Sequence, residues 1–263
     1  MSVTGIIVVI IAGIFVGFIN TLSGGGSVIS LSLLLLLGLP ANIANGTNRI
    51  SIFFQTLSSV GSFTRQKMFT DLRPVWLAIP ATFGAIIGAY VAVDVNTRVI
   101  EIAMATAMVI MVFFLFYKPD KWLKENPALL AGPVKWWQAA IFMVVGFYGG
   151  FIQVGVGYFL LMALVVGVGY DLVKANAVKN LIVFFYAIFA LLIFIIDGKV
   201  NYLYGAILSI GSMIGAVIAS YLAVKKGAGF IRAVILISVL LTILQISGII
   251  NFSTLFKHMV SSP

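Results

Sequence analysis

Long apolar runs fill the chain and are interrupted by glycine clusters and short polar patches. One set lies at 5–22, 27–39, 42–64, 74–93 and 98–117, and a second at 137–152, 157–169, 173–196, 202–223 and 230–250. Leu33 to Leu37 and Ile188 to Ile196 are apolar without a break. That is the pattern of helices buried in protein or lipid, whereas the strands of a membrane β-barrel alternate apolar and polar positions. A helix crosses a bilayer with about 20 residues at 1.5 Å each, so the runs 27–39 and 157–169 are too short to span. They predict half-helices, each folded against the preceding run around a glycine break. The breaks are Ser23-Gly24-Gly25-Gly26-Ser27 and Val154-Gly155-Val156-Gly157-Tyr158.

The second set repeats the first. Gly24/Gly155, Gly38/Gly169, Asn45/Asn176, Phe53/Phe184, Gly84/Gly215 and Tyr90/Tyr221 each stand 131 positions apart. The sequence therefore predicts an all-α, polytopic integral membrane protein made of two repeats, each a glycine-broken hairpin followed by three transmembrane helices. The N-terminal repeat is expected over 1–117 with its hairpin at 5–39. A polar linker over 118–136 follows, and then the C-terminal repeat over 137–263 with its hairpin at 137–169. Five elements per repeat is an odd number, so the second repeat is expected to be inverted relative to the first.

Composition agrees with a membrane protein: 62% of residues are hydrophobic and 9% are charged, far from the soluble range. The net charge of +9 is read as topology rather than as nucleic-acid binding, because Lys and Arg collect in cytoplasmic loops. With five elements per repeat, one side carries Arg65, Lys67, Arg73, Lys118, Lys121, Lys124, Lys135, Lys174, Lys225, Lys226 and Arg232, against Arg98, Lys199 and Lys257 on the other. Four elements per repeat would divide the same residues more evenly. The inverted arrangement places both termini outside the cytoplasm. No positively charged segment precedes the first apolar run, so no secretory signal is expected and that run is expected to remain as structure.

Chemistry is sparse. The chain has no cysteine, and its single histidine, His258, sits in the C-terminal tail, which removes thiolate and imidazole catalysis and the usual metal sites. Neither a cofactor nor an enzymatic activity is predicted. Behind each hairpin, however, the next helix opens on a polar cluster, Asn45-Gly46-Thr47-Asn48-Arg49 and Asn176-Ala177-Val178-Lys179-Asn180. Arg49 and Lys179 lie about 10 Å inside their helices. A cation near the bilayer centre costs about 2.5–3.5 kcal/mol on insertion scales, so something must offset it. Snorkelling to the headgroups is one answer. An anionic substrate is the other, and it is favoured because all seven acids, Asp71, Asp94, Glu101, Asp120, Glu125, Asp171 and Asp197, fall in or beside loops.

Glycine breaks also expose N–H groups at helix starts, where anions bind. The candidate substrate site is therefore Ser23, Gly24, Gly25, Gly26, Ser27, Asn45, Asn48, Arg49, Gln153, Gly155, Gly157, Asn176, Lys179 and Asn180. Gly84, Gly88 and Gly215 are instead expected to permit close helix packing. The partners predicted are a small anionic substrate and the lipid bilayer, with no nucleic acid, and the oligomeric state is left open.

In these residues the chain resembles the sulfite exporter TauE/SafE family of membrane permeases. The likeness lies in the early glycine break, the short apolar run after it and Ala44-Asn45-Gly46-Thr47. A weaker second copy stands at Gly155-Val156-Gly157 and Ala175-Asn176-Ala177, and the whole covers about 8–252. The chain departs from the family pattern at Ser30-Leu31-Ser32 and Leu161-Met162-Ala163, where a proline is common, and at Ala177-Val178, where the second Gly-Thr pair is missing. The resemblance implies export of sulfite, organosulfonates or related anions across the bacterial inner membrane. Alternating access between the repeats is the expected mechanism; a channel with re-entrant selectivity hairpins and a non-transporting scaffold are the alternatives.

Overall fold

A computed structural model describes residues 3–95, 98, 99, 106 and 125–246. Apart from residues 98, 99 and 106, the expected helix 98–117 lies outside the described residues, as do residues 118–124 of the linker and the chain beyond 246, and with them Glu101, Asp120 and His258. Every regular element among the described residues is helical. In chain order these are α1 (Val3–Leu22), α2 (Ser27–Leu36), α3 (Ala41–Arg65), α4 (Arg73–Asp94), α5 (Pro127–Leu130), α6 (Trp136–Phe151), α7 (Val156–Met162), a π-helical continuation (Ala163–Val168), α8 (Leu172–Ile196) and α9 (Tyr202–Ile246).

Four of these are long and apolar enough to cross a membrane: α1, α4, α8 and the stretch Tyr202–Leu241 of α9. Helix α3 has the length but not the hydropathy, because Asn45, Thr47, Asn48, Arg49, Gln55, Thr56 and Ser59 all face the interior. Within α9, Gly227 adopts φ 74° and ψ −169°, so the run is two helices joined at a kink. Local signals set the other ends. The Asp171 carboxylate accepts from the N–H groups of Val173 and Lys174 at 2.8 and 3.1 Å and starts α8. Pro74, which needs no hydrogen-bond acceptor, sits in the first turn of α4.

Lipid-bathed helices gain little from burying apolar surface against each other, so close backbone contact has to hold them. Helix α1 packs on α9, and α6 on α4, through paired glycines four apart. On α1, Gly13 and Gly17 meet α9 at Leu208, Gly211 and Ser212; in return Gly211 and Gly215 meet Ile10, Gly13, Ile14 and Phe18. On α4, Gly84 and Gly88 meet Met143, Phe147 and Phe151 of α6, while Gly146 and Gly150 rest on Ala81 and Ala85. A Cβ at any of these glycines would overlap the facing backbone. The contacts advance together along both helices of each pair, so α1 runs parallel to α9, and α4 parallel to α6.

Helices α3 and α8 fill the middle. Gly46 lies against Phe194, Phe53 stacks on Phe184 at 5.8 Å, and Ser59 bonds Asn180 at 3.2 Å, so these two helices run antiparallel. One end of the molecule gathers the basic residues. There Lys174 pairs with Asp71 at 3.7 Å, Arg73 donates to the carbonyls of Leu130 (2.9 Å) and Gly132, and Gln66 reaches the Ser220 carbonyl at 3.4 Å.

Candidate functional site

Both hairpins turn where the sequence places the breaks. Gly24 takes φ +89° and Gly155 φ +69°, backbone that L side chains rarely adopt, and Gly155 caps the start of α7. Gln153 stands beside it at φ +69° although it is not glycine, a conformation that costs about 1–3 kcal/mol and is tolerated where surroundings fix it. Its Nε2 donates to Tyr186 Oη at 2.9 Å. The two turns then touch. A Cβ on Gly24 would fall on the Gly157 backbone, and a Cβ on Gly157 on that of Gly24. Gly25 meets the Tyr158 hydroxyl, which lies 2.6 Å from Ser238 Oγ and 3.4 Å from Ser23 Oγ; Gly26 sits over the Val16 carbonyl.

A helix that ends in the protein interior leaves its last carbonyls without partners and carries about half a negative charge at that end. Here α8 caps the end of α1, and α3 the end of α6. The Lys179 ammonium donates to the carbonyls of Asn20 (3.0 Å) and Thr21 (2.7 Å), Asn176 donates to Leu22 O (2.6 Å), and Asn180 to Thr21 O (3.1 Å), so four polar contacts close the end of α1. Arg49 donates to Gly149 O (3.3 Å), Gly150 O and Phe151 O (3.3 Å), and Asn45 to Phe151 O (3.0 Å), closing the end of α6. Arg49 also lies over the Phe194 ring, 4.5 Å from its centre. Arg49 is 1% exposed and Lys179 2%, so neither snorkels. A cation opposite a helix end recovers up to about 2 kcal/mol in a partly buried setting. That offsets much of the insertion cost, a balance found in neither of the two explanations the sequence suggests.

Between the touching turns lies a space of about 20 Å³, room for one water molecule. Asn20, Gly24, Ser27, Gln55, Thr56, Gln153, Gly157, Lys179 and Asn180 line it, with Ile52, Val156 and Val183 as its apolar wall, and all are buried. Of the residues predicted from sequence, Gly24, Ser27, Gln153, Gly157, Lys179 and Asn180 therefore meet at one point. Asn45, Arg49 and Asn176 stand behind it as caps. Asn48 accepts from Ser30 Oγ at 2.7 Å, and Ser23 donates to the Ile19 carbonyl at 2.8 Å. Ser23, Gly25, Gly26 and Gly155 shape the turns.

Asn20 joins the two sides of the turn: its side-chain oxygen accepts from the N–H of Ser27 at 3.0 Å and its amide donates to Gln55 at 3.3 Å. Gln55, Thr56, Ser59 and Tyr186 were not predicted. The signal for the first three is a polar stripe at 45, 48, 55, 56 and 59 along one side of α3. Among the described residues no carboxylate lines this space or is buried, and no group of three or more His, Cys, Asp or Glu could hold a metal.

A family model for the sulfite exporter TauE/SafE matches residues 9–246. The chain belongs to that family. A probable membrane transporter protein of Escherichia coli K12, YfcA, is 32% identical over 236 residues, covering 84% of this chain and 81% of the relative. The probable membrane transporter protein ORF9 of a Sinorhizobium species is 25% identical over 227 residues and 86% of both chains. No solved structure matches. This TauE/SafE chain is thus a multi-pass membrane transporter.

Proposed function

We propose that this TauE/SafE protein moves a small sulfur-containing anion, sulfite or an organosulfonate, by alternating access between two inverted repeats. The carrying observation is the Lys179 ammonium, buried on the wall of a space between the two glycine turns with amide donors around it and no acid among the described residues nearby. A full positive charge exceeds the half negative charge of the helix end it caps, and the starts of α2 and α7 add the same sign. A monovalent oxyanion would balance the remainder. The space fits one water, so the conformation seen is closed and contracted, and binding must part the turns.

The inverted reading is supported by the antiparallel packing of α3 and α8, whose sequences correspond, and by the exchange of first helices between repeats. By the same reading the basic end faces the cytoplasm of the inner membrane and both termini face away from it. An unpaired monovalent anion would need no coupling ion, because an inside-negative potential supplies about 2.3 kcal/mol per charge per 100 mV, about a fiftyfold gradient. Proteoliposomes loaded with sulfite should release it in proportion to an imposed potential. Release that ignores the potential and follows only a proton gradient would end the uniport part of this proposal. Absence of any saturable sulfite or sulfonate flux would end the rest.

A further inference from the structure

We propose that the outer groove between α3 and the first part of α9, at the basic end of the molecule, is a binding site for an anionic diacyl phospholipid. The groove measures about 410 Å³ and has apolar walls from Leu57, Val217 and Tyr221, 43%, 47% and 53% exposed. Its floor is low because Gly61 stands in the middle of the helix face, with open space where a side chain would be. From Leu57 to Gln66 it runs along nine residue steps, about 14 Å at 1.5 Å per residue. One leaflet of a bilayer with a hydrocarbon core of about 30 Å presents acyl chains over the same length. An acyl chain lying in the groove would therefore bring its headgroup to the Arg65 end.

That end is built for a phosphate. Arg65 closes the groove and is exposed, and the described residues give it no hydrogen-bond or ion-pair partner. Gln66 lies beside it, and Lys225 extends over the Tyr221 ring at 5.5 Å, which brings a second cation to the same rim. Neither ion pair among the described residues involves Arg65 or Lys225. The groove thus joins an apolar trough of one-leaflet length to two unneutralised cations, the complement of a lipid with a phosphodiester and a net negative charge. It is separate from the buried centre, being on the other face of α3 from Asn48, Gln55 and Ser59.

The test uses the full chain in neutral detergent, with native mass spectrometry for retained lipid and thermal unfolding for stabilisation. Phosphatidylglycerol should be retained and should raise Tm, whereas phosphatidylcholine with the same acyl chains and glycerol 3-phosphate should do neither. Arg65→Gln should weaken retention about fivefold, since one basic residue near a charged lipid contributes about 1 kcal/mol. Gly61→Leu should abolish retention by filling the trough, and its Tm in plain detergent should match the parent because nothing lies within 4 Å of a Cβ at that position and the groove beyond it is open. Equal retention of phosphatidylcholine, or undiminished phosphatidylglycerol in Gly61→Leu, would overturn the assignment. So would loss of a dimer, without any change in lipid retention, on making Gly61→Leu, which would give the groove to a second copy of the chain.

Discussion

Replacing Gly24 by alanine should lower the stability of the protein by about 2–5 kcal/mol and abolish its transport, while the same change at Gly38 should cost only about 1–2 kcal/mol. Both glycines have positive φ, +89° and +84°. An L residue forced into left-handed backbone loses roughly 1–2 kcal/mol at either place. The difference lies in what the new methyl group meets. At Gly38 there is nothing within 4 Å, but at Gly24 it would occupy the Gly157 backbone. Parting the two turns to make room adds an overpacking cost of about 1–3 kcal/mol. Gly157→Ala, whose φ is not left-handed, isolates that second part and should cost about 1–3 kcal/mol. Thermal unfolding in one detergent ranks the three. Equal losses for Gly24→Ala and Gly38→Ala would mean that the turns do not touch in the protein.

The breaks were legible because glycine clusters interrupt apolar runs too short to span, and the helix ends follow them closely. The run 27–39 becomes Ser27–Leu36, 42–64 becomes Ala41–Arg65, 74–93 becomes Arg73–Asp94 and 173–196 becomes Leu172–Ile196. The π-helical stretch Ala163–Val168 had no such signal, since its residues are ordinary helix-interior apolar types. Equally hidden was what the buried cations do. Sequence shows that Arg49 and Lys179 lie deep and lack acids, but their partners are main-chain carbonyls about 100 and 159 positions away, and carbonyls leave no trace in a residue pattern. The repeat does contain a hint. Asn45 and Asn176 occupy matched positions and cap matched helix ends, whereas Asn48-Arg49 matches Lys179-Asn180 with cation and amide exchanged. The end of α1 thus receives one cation and the two amides of Asn176 and Asn180, and the end of α6 one cation and the single amide of Asn45, since Asn48 bonds Ser30 instead.

That exchange gives the two cations different work, and neutralising each in turn should separate binding from integrity. Lys179 lines the space between the turns, so Lys179→Gln should weaken sulfite binding by about 10- to 100-fold, the loss of one charge-assisted hydrogen bond at about 1.5–3 kcal/mol. A glutamine there can still donate to one of the carbonyls of Asn20 and Thr21, so the fold should survive. Arg49 is absent from the lining and holds three carbonyls at the end of α6. Arg49→Gln satisfies at most two of them, and each buried polar group left bare costs about 1–3 kcal/mol. Its main effect should be a lower Tm and slower transport, with sulfite affinity in the folded fraction changed less than fivefold. Measuring the dissociation constant by ligand-dependent thermal shift, beside the Tm in its absence, places each variant on both axes. If Arg49→Gln loses affinity as steeply as Lys179→Gln at an unchanged Tm, Arg49 touches the anion and the closed structure has yet to turn it inward. Should Lys179→Gln bind sulfite as the parent does, the ammonium serves only the end of α1, and the anion site must lie away from the glycine turns.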